Sequence, residues 1–156
     1  MISWETGGVQ FNYRVAAVIV DRDRVLVTRI EGMDFWFLPG GRVEMGETSE
    51  KALAREVMEE LHVPAEIGRL LWVVENFFGA EPRIQELGLY YAATLIGLGR
   101  VWDGIGIYRT IDDEGTRDEF RWLPFDDLSS VRLMPPFLKE VLTELPTKTQ
   151  HIVVNE

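Results

Sequence analysis

Three glutamates, Glu56, Glu59 and Glu60, lie close together in a segment with helical spacing. Residues three and four positions apart are neighbours on a helix, so the three carboxylates are predicted to share one face. Like charges at this spacing repel, and Arg55, four residues before Glu59, could offset part of the repulsion. Such a face is either a solvated acidic surface or a place that gathers a divalent cation, because hard cations prefer oxygen ligands.

The loop before this segment favours the second interpretation, a site for a divalent cation. A Pro-Gly-Gly sequence ends at Gly41, and Gly46 follows; glycines let the main chain turn sharply and approach a ligand closely. Glu44 and Glu47 add carboxylates beside the helix. Magnesium keeps several waters and binds a few carboxylates together with substrate phosphates. A carbonyl of the glycine loop and two or three helix carboxylates would meet that demand.

The spacing of these residues resembles the Nudix box. Gly41 is followed by five residues and Glu47, then by seven residues and Arg55-Glu56-Val57, and then by one residue and Glu59-Glu60. His62 stands where the box has a glycine, and Val63 follows it. The resemblance extends from the first strand to the last helix, because two strands precede the box and Trp-Leu-Pro-Phe stands near the end.

The resemblance implies an α/β/α sandwich around a mixed β-sheet. It also implies a hydrolase that cuts the diphosphate of a nucleoside diphosphate derivative with metal-activated water. The expected cofactor is Mg²⁺ or Mn²⁺, held by Glu56, Glu59, Glu60 and the main-chain carbonyl of Gly40. A structural pair of Arg55 and Glu47, next to Gly41, is expected to fix the loop against the helix.

The general base stays open. Glu59 and Glu56 of the box are candidates, and so are two later glutamates, Glu86 and Glu119. Glu86 precedes an apolar strand, and we slightly prefer it among the later residues because the turn before that strand should lie near the box.

Four residues are candidates for substrate binding. Phe35 and Trp36 could stack on a base, although aromatic residues beside a strand are more often core. Arg42 lies in the loop on the phosphate side and could bind an anion or be a surface arginine. Arg14, on the first strand, could reach the substrate.

His62 is the one departure from the box. The family's glycine stands where the helix ends, at a position that favours a left-handed backbone. Histidine in that conformation costs about 1–2 kcal/mol. We interpret His62 as a modest loss of stability rather than a loss of activity.

The elements that would position these residues follow from periodicity. Leu53, Val57 and Leu61 predict a helix over Thr48 to His62, with Thr48 as N-cap. A second helix is predicted at Phe137 to Leu145. The predicted strands are Phe11 to Asp21 with its hairpin partner Val25 to Ile30, and then Phe35 to Leu38, Glu66 to Phe78, Arg83 to Leu95 and Phe120 to Leu123.

The composition restricts the class of protein. A chain of 156 residues with 46% hydrophobic and 27% charged residues fits one folded domain over residues 1–156, with the tail 146–156 docked as a strand or loose. There is no cysteine, so thiol catalysis and disulfides are excluded. The net charge of −10 disfavours nucleic acid and anionic membranes as partners and leaves a small-molecule substrate.

The sequence also gives expectations about location and assembly. No signal-peptide pattern or membrane span is read from the sequence, so a cytoplasmic protein is expected. A homodimer could form through Trp72 to Phe78 and Ile152 to Val154, because both segments are expected to be exposed.

Two other functions are compatible with the sequence. A non-catalytic Nudix-like module would bind a nucleotide without turnover, although degenerate members usually lose the glutamates that are present here. A calcium-binding or purely structural acidic domain would leave the glycine loop unexplained.

Overall fold

The computed structural model describes residues 1–156, which form ten strands and two α-helices. The strands are β1 (Ser3–Thr6), β2 (Val9–Val18), β3 (Val20–Asp21), β4 (Arg24–Ile30), β5 (Gly40–Arg42), β6 (Ala65–Phe78), β7 (Arg83–Leu95), β8 (Tyr108–Ile111), β9 (Arg117–Pro124) and β10 (Gln150–Asn155). The helices are α1 (Ser49–Leu61) and α2 (Leu138–Val141).

Six strands form a mixed sheet in the order β1-β2-β7-β6-β10, with β5 also paired to β2. The β2–β7 and β6–β10 pairs are parallel, whereas β1–β2, β2–β5 and β6–β7 are antiparallel. The fold is therefore a mixed α/β fold around a mixed sheet, as the sequence predicts. The tail docks as a strand, because β10 pairs with β6 along its whole length.

A second sheet is antiparallel, with the order β3-β4-β9-β8. The predicted hairpin is only partly correct, because the apolar run from Phe11 to Asp21 is divided between two sheets. The regular ladder is interrupted at Ile19; β2 belongs to the mixed sheet and only the two-residue strand β3 pairs with β4. An apolar run buried on both faces carries no alternation that would mark such a change of sheet.

Two hydrophobic clusters lie on opposite faces of β2. Val15 and Ala17 pack in the cluster that includes α1, whereas Ala16 and Val18 pack in the cluster that includes Trp72 and α2. This alternation is the period of two expected for a strand covered on both sides.

Helix α1 matches its prediction closely. Thr48 is the N-cap, and its hydroxyl accepts a hydrogen bond from the Lys51 amide at 3.3 Å. Leu53, Val57 and Leu61 are fully buried. Met58, next to Val57, is 43% exposed.

Three other predictions need correction. Phe35 to Leu38 is not a strand but makes two isolated bridges, at Trp36 and Phe37, and the strand follows at β5. The second helix is confined to the four residues of α2. The segment Trp72 to Phe78 is not an exposed surface, because β6 is paired on both sides and Trp72 is fully buried.

None of the helices has the length and apolar character needed to cross a bilayer.

Candidate active site

Arg55 is the centre of an ion-pair network that joins the glycine loop to α1. Its guanidinium donates to both carboxylate oxygens of Glu47, at 2.6 and 3.1 Å, and to the Arg42 carbonyl at 3.2 Å. The same side chain donates to Glu56 at 2.8 Å and to Glu59 at 3.2 Å. The Arg55 guanidinium lowers the pKa of Glu47, so this carboxylate stays ionised as the anchor of the loop.

Glu56 packs directly on the loop. A Cβ atom added to Gly41 would meet the Glu56 carboxyl carbon at 2.2 Å, so only glycine leaves room for this carboxylate. The side chain of Glu56 is 17% exposed. Burial raises the pKa of Glu56, whereas Arg55 acts in the opposite direction.

Glu60 is the most strongly perturbed carboxylate of the helix. Its Oε2 atom is buried and has no hydrogen-bond partner. Burial raises the pKa of Glu60 well above its ordinary value, although Arg14 and the Gly40 amide, which donates to the carboxylate, favour the charged form. A buried carboxylate oxygen without a partner is unfavourable unless a ligand completes it.

The conformation of Gly40 explains why the loop can approach so closely. Gly40 has φ +154°, and an added Cβ would lie 2.0 Å from the Val15 carbonyl oxygen. The loop therefore lies directly against β2, with the Gly40 amide turned toward Glu60.

Asp118 is a functional candidate that was missed by sequence reasoning. It lies on β9, is 7% exposed, and has a buried Oδ2 atom without a partner. Asp118 is close enough to raise the pKa of Glu60. Burial, reinforced by Asp112, raises the pKa of Asp118 itself to about 6. Asp118 lies two residues before Phe120, which is buried, so both side chains share one face of β9. The predicted strand begins only at Phe120, and Asp118 therefore falls outside it.

A cavity of about 570 Å³ is lined by residues of β2, β6 and β7 and by the segment before β5. Arg14 relates the cavity to the carboxylates of α1: it lines the cavity and influences the pKa values of both Glu56 and Glu60. Its guanidinium donates to the Leu38 carbonyl at 2.9 Å and lies 5.6 Å from the centre of the Phe37 ring. The volume is in the range of small-molecule sites.

The family model for the NUDIX domain matches residues 11–145, which is most of the chain and includes the loop, α1, Asp118 and most of the cavity. The chain belongs to the Nudix family. Gly41 to Val63 is therefore its Nudix box, with His62 in place of glycine.

Similar proteins support the assignment over shorter stretches. A MutT-like protein of Streptomyces ambofaciens is 43% identical over 63 residues, which are 40% of this chain and 41% of that protein. A putative 8-oxo-dGTP diphosphatase of Bacillus subtilis is 28% identical over 87 residues, or 56% and 55% of the two chains. The matched part spans about half the length of these relatives. Among solved structures, a UDP-X diphosphatase has a TM-score of 0.64 at 20% identity, covering 90% of this chain and 66% of that one, and this likeness shows the Nudix fold.

The structure brings some of the predicted site residues together and separates others. Glu56, Glu59 and Glu60 share α1 with Arg55, and Arg14, Phe35 and Glu86 line the cavity. Arg42 is the second residue of the box, and its guanidinium donates to the Met1 sulfur at 3.0 Å.

Trp36 and Glu119 lie apart from this group. Trp36 is 5% exposed in the hydrophobic core, with Arg29 4.3 Å from its ring centre. Glu119 is 5% exposed and pairs with Arg29 at 3.0 Å and with Arg109 at 3.2 Å. The role of Glu119 as a general base stays a prediction, and its carboxylate already has two cationic partners.

His62 keeps the left-handed backbone expected of the box glycine, with φ 58° and ψ 28°. Its amide donates to the Met58 carbonyl at 2.9 Å, which closes the helix, and its Nε2 lies 3.0 Å from the Ile111 carbonyl oxygen on β8. The side chain thus makes a contact that glycine could not make.

Proposed function

We propose that this Nudix protein hydrolyses a diphosphate linkage in a nucleoside diphosphate derivative, with Mg²⁺ or Mn²⁺ as cofactor. The observation that carries the proposal is that Arg14 relates to two sets of groups. Against the effect of burial, its charge lowers the pKa values of the half-buried Glu56 and Glu60, and Arg14 also lines the cavity, whose volume is in the range of small-molecule sites. A diphosphate bound beside Arg14 would have its charged part near the box and its organic part in the cavity.

The residues present are suitable for a hard divalent cation. Glu60 offers a buried oxygen without a partner, Glu56 is seated on Gly41, and Glu59 lies nearby with its side chain 33% exposed. The Gly40 carbonyl is proposed as a fourth ligand. When bound there, the cation would neutralise charge on the diphosphate and lower the pKa of an attacking water.

The side chains of the protein would perform the remaining work. Arg14 would hold the phosphates, and Arg55 would keep Glu47 and Glu56 in place. Water would form the new P–O bond, the bridging P–O bond would break, and the products would be two phosphate monoesters, or a monoester and inorganic phosphate or diphosphate. The proton released from water would pass to a carboxylate, for which Glu59, Glu56, Glu86 and Glu119 are the candidates.

A panel of substrates tests this proposal. Nucleotide sugars, dinucleotides, nucleoside triphosphates and diphosphoinositols would be incubated with Mg²⁺ or Mn²⁺, and the products identified by ³¹P NMR. Oxygen-18 water would identify the phosphorus that is attacked. We expect metal-dependent release of a nucleoside monophosphate from at least one class, and no cleavage across the panel would contradict the proposal.

One observation favours the alternative of a non-catalytic binding module. No group of three or more acidic or histidine side chains converges in the structure in a way that could hold an ion. Arg55 occupies oxygens of Glu56 and Glu59, which accounts for this arrangement. Tight nucleotide binding together with negligible turnover would support the module, whereas rapid turnover would exclude it.

A further inference from the structure

Asn76 lies in the cavity without a partner for its acceptor. It is on β6 and is 5% exposed, and its Oδ1 atom is buried and accepts no hydrogen bond. It also lines the cavity described above. A buried amide oxygen in this position is unfavourable in the free protein and invites a donor from a ligand.

Glu86 places a second acceptor beside it. Asn76 and Glu86 are direct partners in the antiparallel β6–β7 pair, so their side chains emerge next to each other on one face of the sheet. Glu86 also lines the cavity, and its carboxylate makes neither a hydrogen bond nor an ion pair. Two free acceptors therefore stand side by side on the cavity wall.

Aromatic rings form much of the surrounding surface. Phe35 and Phe37 line the cavity with ring centres 6.0 Å apart, and Tyr90 lies on the same sheet face as Glu86. Gly88, between Glu86 and Tyr90, leaves room for the tyrosine ring, since an added Cβ would lie 2.9 Å from it. Flat aromatic walls with two adjacent acceptors suit a planar nitrogen heterocycle.

We infer that the cavity binds a nucleobase whose edge carries two adjacent N–H donors, and that Asn76 and Glu86 are the residues that select it. Guanine presents such an edge, through its ring N1–H and its exocyclic amino group. Hypoxanthine has only the ring N–H, and adenine, cytosine and uracil each place an acceptor next to their donor. This inference rests on the proposed function only in taking the cavity as the site of the substrate's nucleoside part.

Binding of nucleoside monophosphates to the metal-free protein tests the inference without any need for turnover. GMP, IMP, AMP and UMP would be titrated by calorimetry in the presence of a chelator. We expect GMP to bind at least about 10-fold more tightly than IMP, because IMP leaves one acceptor unpaired. Equal affinities for all four, or a preference for AMP or UMP, would overturn the inference.

Two variants assign the preference to residues. Asn76→Leu has a similar volume and removes the unpartnered oxygen, so it should fold at least as well as the wild type. Glu86→Gln replaces one acceptor by a donor. Each variant should bring the GMP-to-IMP affinity ratio close to 1, whereas Gln85→Ala, which changes the neighbouring residue on the opposite face of β7, should leave the ratio unchanged.

The same variants separate this role from catalysis. If Glu86 acts as a general base instead, Glu86→Gln will lower kcat for every substrate and leave the binding ratio intact, which would overturn its assignment as a selecting residue. If the protein discriminates between GMP and IMP but cleaves no nucleotide, the hydrolase proposal fails and the inference about the cavity stands.

Discussion

Gly41→Ala is the most direct test of how the loop seats Glu56. The new Cβ would lie 2.2 Å from the Glu56 carboxyl carbon and 2.3 and 2.6 Å from its two oxygens. Nonbonded carbon atoms prefer separations of about 3.5–4 Å, so the carboxylate must move by about 1 Å or more. The backbone of Gly41 needs no special conformation, since its φ is not in the left-handed region.

The expected effect is a large loss of activity with a small loss of stability. The atoms that collide with the new Cβ are the far end of a flexible side chain, which can rotate away at about 0.5–1.5 kcal/mol. Its 2.8 Å hydrogen bond from Arg55 would then be broken or lengthened. A displacement of about 1 Å in a positioning group can reduce a rate by about 100-fold.

The assay combines turnover, Mn²⁺ titration and urea unfolding of the metal-free protein. Gly99→Ala is the matched control, because its added Cβ would meet nothing within 4 Å and the φ of Gly99 is not in the left-handed region. A double-mutant cycle isolates the contact: in a Glu56→Ala background, Gly41→Ala should no longer change Mn²⁺ affinity, since the group it displaces is gone. Wild-type turnover and Mn²⁺ affinity in Gly41→Ala, or an equal effect in both backgrounds, would refute this account of the site.

Four further predictions concern the same region. Glu60→Gln should lower turnover by orders of magnitude yet raise the melting temperature of the metal-free protein, because a buried charge with an unpartnered oxygen is removed; wild-type turnover would refute the metal assignment. Burial raises the pKa of Asp118 from 3.8 to about 6, so the stability due to its tighter proton binding is present below about pH 4 and lost as the pH rises to about 6. The free energy of unfolding of the metal-free protein would be measured with urea at pH 4 and at pH 7. In Asp118→Asn the difference between the two values should be smaller than in the wild type by about 1–2 kcal/mol, after allowance for solvent screening. His62→Ala should lower the free energy of unfolding by about 1 kcal/mol, because it loses the contact with the Ile111 carbonyl. His62→Gly loses the same contact but relieves the strain of the left-handed backbone, so its stability should be close to that of the wild type. Equal losses in thermal unfolding of the two variants would contradict this account. Gly40→Ala should cost about 3 kcal/mol or more by urea unfolding, because the collision is with the main chain of β2 at 2.0 Å, and wild-type stability would show that the loop can move away.

The parts of the fold that could be predicted are those with a strong local signal. Helix α1 has three fully buried leucine and valine positions at four-residue spacing and a capping threonine, and its observed bounds differ from the predicted ones by one residue at each end. Strand β7 was predicted with its exact bounds, since a turn precedes its apolar run. In both cases the local pattern and the tertiary structure agree.

The features that were missed depend on distant parts of the chain. Strands β1 and β8 are short and largely exposed, so their sequences carry little alternation. The apolar run divided at Ile19 looks continuous until both sheets are known.

The site shows the same division. The box glutamates could be read from spacing, whereas Asn76 and Asp118 gain significance only from the strands that surround them. An unpartnered buried oxygen is a property of three-dimensional packing and has no signature in sequence.

The parallel pairing of β10 with β6 has a consequence for the tendency of the protein to aggregate. Residues 150–155 cover the edge formed by residues 72–77, so one side of β6 has no neighbouring strand whenever β10 is detached. Such open edges are templates for association between chains. We expect a variant that lacks residues 150–155 to aggregate more readily than the intact chain, because these residues close this edge of the sheet.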